Sequence, residues 1–553
     1  MEKRLILAIV LSFLVLMGYQ YFFVKPNKPA EPAAVTTTAP IPLPGAAAAL
    51  ETQKQKPAEA APIPAEPVPA PDPTAVAGRA DQDVVVETPL YRAVWSNKGG
   101  VLKSWKLKTH KNSQKEDLEL VPALASEIGR YPFSVALDDT ALASLVNTAL
   151  FEPSQTALDL PEGTAGELRF VFSDGSSVRA EKAFRFRGGS YALDIDVRVW
   201  KSGQPVTPSV LWGPGIGNPT GAELKQSIIV STGSAVYTGG KVFRMTERKY
   251  KPEQSAYNFV SWAAYEDNYF AALFVLPSQK GQAAFLKETA GQGPAPAFFV
   301  YVTEPRTAFI GPKDAEALKA FGYDAKKVIN FGTFGSIAEV LLVVVRFFHK
   351  LVPNWGIAII LLTIFIKIIF FPLTYSSTKS MAKMAELQPK VKAIRAKYKK
   401  AKSDIAQRKA MNEEMMGLYK EHGVNPAGGC LPLLIQLPVF WGVFRMLVVS
   451  VDFRHAPFAL WITDLSVKDP YYVTPVLMGI TQFISQKMTP TSADPSQAKM
   501  MLIMPFVMTI FFMNFQSGLV LYWLTTNVLQ IGQQAIMNRM MARHKRDDYG
   551  KRK

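Results

Sequence analysis

Cysteine is almost absent from this chain of 553 residues. Cys430 stands alone, so no intramolecular disulfide can form even if part of the chain faces an oxidising compartment, and a thiol relay lacks its second sulfur. Histidine is scarce as well. His110, His349, His422, His455 and His544 are far apart, with no HExxH and no Cys/His spacing of the kind that holds zinc, so local motifs point to no metal site. A GxSxG elbow, a paired-carboxylate signature and a Gly-rich phosphate loop are missing too, and the expectation is a non-enzymatic protein without a cofactor. The apolar stretches toward the C-terminus carry no Asp or Glu at depth and no Ser/His pair, which leaves intramembrane proteolysis without its residues. Ion-coupled transport usually needs a titratable acid or an internal repeat, and neither is found.

What the chain does have is apolar surface and positive charge. Its hydrophobic content is 48% and its mean hydropathy +0.07, which fits a membrane protein with a soluble part. The formal net charge of +17 suits nucleic acid, anionic lipid or the cytoplasmic loops of a membrane protein, and its location decides between them.

Lys3 and Arg4 precede an uncharged stretch to Val24, long enough at ~1.5 Å per residue to span a ~30 Å hydrocarbon core. A cleaved signal peptide is the competing reading. Signal cores are shorter, and Tyr19, Tyr21 and Phe22 look like an interfacial anchor with no small-residue cleavage site, so residues 1–24 are expected to be an uncleaved transmembrane anchor with its N-terminus in the cytoplasm. Residues 25–80 are dense in Pro, Ala and Thr, a spacer that cannot bury a core. From 81 to 320 the pattern alternates: in YALDIDVRVW, Tyr191, Leu193, Ile195, Val197 and Val199 take turns with Ala192, Asp194, Asp196 and Arg198, as in a half-buried strand. Asp174-Gly175 and Gly188-Gly189 supply turns on either side of another strand. An extracytoplasmic all-β sandwich is predicted.

Residues 334–352 (FGSIAEVLLVVVRFFHKLV) carry Glu339, Arg346, His349 and Lys350, a density that suits an interfacial amphipathic helix, with a short core helix as the alternative. Five spans are then expected at 355–375, 429–450, 471–488, 499–516 and 518–537, making six with the anchor. Charge tests that topology. Residues 376–423 hold twelve Lys/Arg against five acids, and the tail at 538–553 holds seven more Lys/Arg, whereas the loop at 451–470 has Arg454 and Lys468 against Asp452, Asp464 and Asp469. With six spans the basic segments and the short loop at 489–498 lie in the cytoplasm and the acidic loop outside, so the surplus charge is mostly topological and no specific nucleic-acid sequence is implied.

The basic loop is itself patterned. Met384, Leu387, Val391, Ile394, Tyr398 and Ala401 are spaced 3, 4, 3, 4, 3, and Met411, Met415, Leu418 and His422 continue a stripe beyond Ser403-Asp404, a turn and N-cap. Two antiparallel helices forming a cytoplasmic hairpin are predicted, with Pro389 perturbing the first or opening a new helix and Gly423 ending the second. Lys397, Lys399, Lys400 and Lys402 near its tip are either a solvated face or a contact for anionic lipid or ribosomal RNA phosphate.

Lys367 lies in the middle of the apolar run WGIAIILLTIFIKIIFFP, and an ionisable residue at that depth is costly enough to mark a functional site. It is too deep to reach the cytoplasmic surface easily. Thr363, Lys367, Phe370 and Thr374 share one helical face, and other spans carry polar stripes: Gln436; Gln482, Ser485 and Gln486; Trp523, Thr526, Asn527, Gln530, Gln533 and Gln534. Such groups act either as glue between helices or as the lining of a hydrated cavity. With no acid to pair Lys367, a cavity open to the cytoplasm is the economical expectation. Arg445, near the outer end of its span, needs only to snorkel. A small-solute transporter using the same cavity is the alternative, and a carbohydrate-binding protein merely anchored by its spans a third.

The segments NPAGGCLPLLIQLPVFWG, APFALWITDLSVKDPYYVTPVLMGITQFISQKMTP and MPFVMTIFFMNFQSGLVLYWLTTNVLQ resemble the YidC/Oxa/Albino family of membrane protein insertases, in its Gram-negative form with a large periplasmic domain. The resemblance implies a chaperone and insertase of the bacterial inner membrane with both termini cytoplasmic. It implies a hydrophilic groove in which Lys367 matches the family's positive residue and Thr363 its neighbour, and a slide of Pro438, Phe440, Phe511 and Phe512 beside Trp523. It implies nascent integral membrane proteins as clients, with the Sec translocon and its accessory subunits, the ribosome, the signal-recognition targeting receptor and membrane lipids as partners. The β domain is implied to be a β-supersandwich. Family members usually carry arginine at the Lys367 position, which leaves open whether charge alone suffices.

Overall fold

The structure, a computed structural model, describes residues 75–217, 232–277, 280–289, 296–398, 404–424, 431–489 and 495–551. The expected anchor at 1–24, the spacer up to residue 74 and three of the four hairpin lysines, Lys399, Lys400 and Lys402, lie outside them.

Among the described residues the β domain contains one ten-stranded and two five-stranded sheets. In the large sheet Ala192–Lys201 pairs antiparallel with Val178–Arg187, which pairs in turn with Ala165–Ser173. On its other side Ala192–Lys201 meets Thr307–Pro312, and the sheet continues through Phe270–Val275, Val260–Glu266 and Gly233–Thr238 to an edge at Lys241–Thr246. Alternation explains the first of these strands: Leu193, Ile195 and Val199 are buried while Arg198 is exposed and pairs with Asp196. The turn before Val178–Arg187 is built by Asp174, whose carboxylate accepts from the Ser176, Ser177 and Val178 amides at 2.8–2.9 Å.

Aromatic rings join the sheets face to face. Trp95, from the sheet that begins at Asp83–Glu87, lies 4.1 Å from Phe184 of the large sheet, and Trp212 of the third sheet lies 6.3 Å from Phe274. Both tryptophans are fully buried, and a side chain of that class contributes roughly 2–3 kcal/mol by leaving water. One charge is sealed inside this core. Lys182, on the inward face of Val178–Arg187, donates to the carbonyls of Gly99 at 2.6 Å, Phe133 at 2.8 Å and Gly100 at 3.4 Å. Gly99 and Gly100 have φ of 75° and 57°, the left-handed conformation that turns their carbonyls inward, and a Cβ on Gly99 would lie 2.5 Å from the Asn147 carbonyl.

The helical region follows as α1 (Gly335–Leu351), α2 (Trp355–Glu386), α3 (Gln388–Lys397), α4 (Ile405–Glu421), α5 (Leu431–Val449), α6 (Val473–Met488), α7 (Pro495–Phe512) and α8 (Ser517–Lys551). α1 buries Ala338, Leu341, Leu342 and Val345 against α2 and α5 but exposes Val340, Val343 and Phe347, so it is apolar on both faces. Arg346 leaves it to pair with Asp314 of the β domain at 2.7 Å and with Asp452 after α5 at 2.8 Å. The Asp314 carboxyl, raised by burial but lowered further by the Ala317 amide and Arg346, sits below its ordinary range.

α2 begins at Asn354, whose side chain caps the Ile357 amide, and runs unbroken through Pro372 to Glu386. Among the described residues it is long and apolar enough to cross a membrane, while 435–449 and 501–512 are shorter apolar helices. α3 opens with Pro389 in its first turn, and Asp404 caps α4. Lys397 pairs with Glu414 and Lys390 with His422, so α3 and α4 are antiparallel, and Gly423 at φ 61° follows the end of α4. α8 packs on α2 and α6, and α6 on α7 where Gly479 lets Thr509 approach. Asp469 pins the start of α6, accepting from the Thr474 amide and hydroxyl, the Tyr471 amide and Trp461 Nε1.

Candidate functional site

α8 is the hub of the polar residues in the helical region. Tyr522, Asn527 and Gln530 occupy successive turns of it, and each reaches a different helix. Gln436 of α5 donates to the Tyr522 hydroxyl at 3.0 Å, Asn527 donates to the Met478 carbonyl of α6 at 3.1 Å, and Lys367 of α2 donates to Gln530 Oε1 at 2.8 Å. The last contact gives Lys367 a neutral partner that its spacing in sequence did not reveal. No acid lies within ion-pair distance among the described residues, but an amide oxygen from the facing helix takes one of its three protons.

The surroundings of that pair are apolar above and polar below. Lys367 is the thirteenth residue of α2, ~18 Å along the axis from its start. Thr363, one turn earlier, is buried and donates to the Ile359 carbonyl of its own helix, so its hydroxyl proton is not offered to the groove. Toward the C-terminal half of α8, Gln533 and Gln534 are buried, and Gln533 Nε2, Gln534 Oε1 and Gln482 Oε1 of α6 have no partner among the described residues. Each such atom costs about 1–3 kcal/mol unless water reaches it. Gln486 is half-buried on the same helix as Gln482.

Aromatic residues wall the other side. Trp523 meets Phe440 edge-on at 4.9 Å and Phe512 at 5.1 Å, and Phe511 packs on Phe515 at 4.8 Å. Phe440, Phe511 and Pro438 are half-buried, whereas Phe512 is sealed in the core of the helical region and presents no free surface. The resemblance implies all four, beside Trp523, as a slide; here Phe512 is buried and the other three are half-buried. Arg445 also departs from expectation: it donates to the Asn330 and Phe331 carbonyls, tying α5 to the segment leading into α1. Tyr522 carried no signal beyond its place one turn before Thr526, yet it is the partner of Gln436.

Comparisons with known proteins give a consistent picture. The family model for the 60Kd inner membrane protein matches residues 347–545, and that for the YidC periplasmic domain matches residues 83–344. The membrane protein insertase YidC of Geobacter sulfurreducens is 40% identical over 98% of this chain and 99% of its own length. Its counterpart from Syntrophus aciditrophicus is 36% identical over 98% of this chain and 100% of its own. A crystal structure of an active YidC insertase with its first transmembrane domain resolved aligns at a TM-score of 0.35 and 20% identity, over 83% of this chain and 93% of that one, too loosely to transfer geometry.

Proposed function

This chain belongs to the YidC family of membrane protein insertases, and we propose that it inserts nascent integral membrane proteins into the bacterial inner membrane, alone and together with the Sec translocon. It does so without enzymatic chemistry or a cofactor. The observation that carries the reading is a lysine in the middle of an apolar helix, hydrogen-bonded to a neutral amide and to no acid among the described residues.

A cation at that position lowers the barrier for an acidic or polar segment leaving the cytoplasm, because it offers a charge-assisted partner where lipid offers none. Once past it, an acidic group travels outward with the membrane potential, a gain of ~2.3 kcal/mol per charge for each 100 mV. The substrate's own helix supplies the rest by entering lipid. Gln436, Gln486, Asn527 and Gln530 line the polar path with Lys367, and buried Thr363 backs it; Pro438, Phe440, Phe511 and Trp523 guide the apolar part, and Phe512 supports Trp523 from behind. The six spans, the cytoplasmic termini, the outward β domain and the hairpin contact through Lys397 to ribosome, targeting receptor or lipid complete the proposal.

In proteoliposomes, Lys367→Arg is expected to insert a Sec-independent substrate as the parent does, and Lys367→Ala about tenfold more slowly, the rate equivalent of one lost charge-assisted contact. A photocrosslinker at Trp523 or Thr363 should trap the nascent chain. Equal insertion by Lys367→Ala, or solute flux with no nascent chain trapped, defeats the reading.

A further inference from the structure

We propose that Gln530 is the internal holder of Lys367: a neutral acceptor that keeps the ammonium aimed across the groove and yields it to a carboxylate on the incoming substrate. The inference rests on the insertion reading above and assigns a positioning residue within it.

Three observations converge on Gln530. It makes the single hydrogen bond of Lys367 among the described residues, and that bond crosses from α2 to α8. Three of the other polar residues of the region are committed elsewhere, Thr363 to its own helix, Asn527 to the Met478 carbonyl and Gln436 to the Tyr522 hydroxyl, and the free Gln534 and Gln482 oxygens make no bond to Lys367. Finally, the lysine stem is flanked by exposed Ile368 and Ile369 on an apolar helix, so nothing else on α2 fixes where the ammonium goes.

The chemistry of the pair explains why a holder is needed and why it is an amide. A lysine is a point charge on a flexible four-carbon stem, without the planar fork that pre-orients an arginine. Left alone it bends toward the nearest polar surface. The Gln530 carbonyl oxygen opposes this by accepting one proton, while leaving the charge whole and two protons unspent. A carboxylate forms a charge-assisted bond roughly twice as strong as a neutral one, so an acidic substrate displaces the amide, and a neutral segment does not. A glutamate at 530 would be a different device, an internal counter-ion that cancels the charge before substrate arrives.

The test uses the full-length protein in phosphatidylethanolamine and phosphatidylglycerol vesicles, with matched substrates whose translocated segment is acidic, neutral or basic. The readout is the ratio of acidic to neutral insertion, which a general folding defect does not move. Gln530→Glu is expected to lower that ratio about tenfold and to favour the basic substrate, since the new carboxylate neutralises Lys367. Gln530→Leu is expected to lower it about threefold, because the ammonium is released rather than cancelled, and it serves if the Glu variant does not accumulate. An unchanged ratio in the variant that folds, or an equal fall for acidic, neutral and basic substrates, overturns the holder. Lys367→Ala separates the two levels. If it keeps the parent's acidic preference, the electrostatic reading fails and the holder with it; if it loses that preference while both Gln530 variants keep it, only the role of Gln530 fails.

Discussion

The β domain and the helical region each hold a lysine with no acid beside it among the described residues, fully buried at Lys182 and half-buried at Lys367, and the two are solved differently. Lys182 spends its three protons on three backbone carbonyls inside a closed aromatic core. Among the described residues Lys367 spends one, on the end of a side chain. A buried charge whose donors are all satisfied by backbone is a finished part of the structure; one with donors to spare is poised for something that comes and goes. Both helices and sheets can therefore hold a lysine in apolar surroundings, and the two differ in the count of fixed acceptors.

The strongest way to break this comparison is to remove the structural lysine. Lys182→Ala leaves three inward carbonyls unpaired and a cavity among Phe133, Phe151 and Phe170, and it is expected to cost about 3–5 kcal/mol in the unfolding of the β domain, followed in the intact protein by its β-sheet circular dichroism. A loss below ~1 kcal/mol would mean that the carbonyls had found other partners and that Lys182 was no more fixed than Lys367.

A smaller effect follows from pH. Burial pushes the Lys182 ammonium down to about 7, against the carbonyls, which favour its charged form. Its folded value is depressed, so above pH 7 the unfolded chain binds more protons there than the folded one. Stability should then rise with pH from about 7 toward the unfolded value near 10.4, by up to ~1.4 kcal/mol per unit, and stay level below 7. Measuring Lys182→Met beside the parent isolates this slope from other groups. Parallel profiles for the two proteins would show that Lys182 keeps an ordinary value and that its carbonyls fully offset burial.

The same pair shows what could and could not be read from sequence. Period-two alternation at 191–200 was visible because Asp and Arg mark the outer face. In VRAEKAFRFR it was harder, since Lys182 stands in the inward row with Val178, Ala180, Phe184 and Phe186, and only the register of that row gave a signal. In the helical region the polar stripes were plain as spacing. Which residue on one helix meets which on another was not, because that depends on how each helix is rotated in the bundle. Hence Lys367 could be identified and Gln530 named as a groove residue, while their bond stayed hidden; and hence Phe512, spaced like its neighbour Phe511, turned out to face the core.

The smallest expected effect is the one that sharpens the contrast most. Lys367→Met keeps much of the side-chain length and removes the charge. Taking a half-buried cation out of apolar surroundings is favourable when the replacement packs well, yet the variant also strips Gln530 Oε1 of its donor, at about 1–3 kcal/mol. The two terms nearly cancel. Thermal unfolding of the helical region should therefore move by no more than ~1 kcal/mol in either direction, while insertion of an acidic substrate falls as it does for Lys367→Ala. If Lys367→Met instead destabilised the protein as severely as Lys182→Ala, Lys367 would be a structural cation after all, and a deep charge with a single amide partner would have to be counted as scaffold.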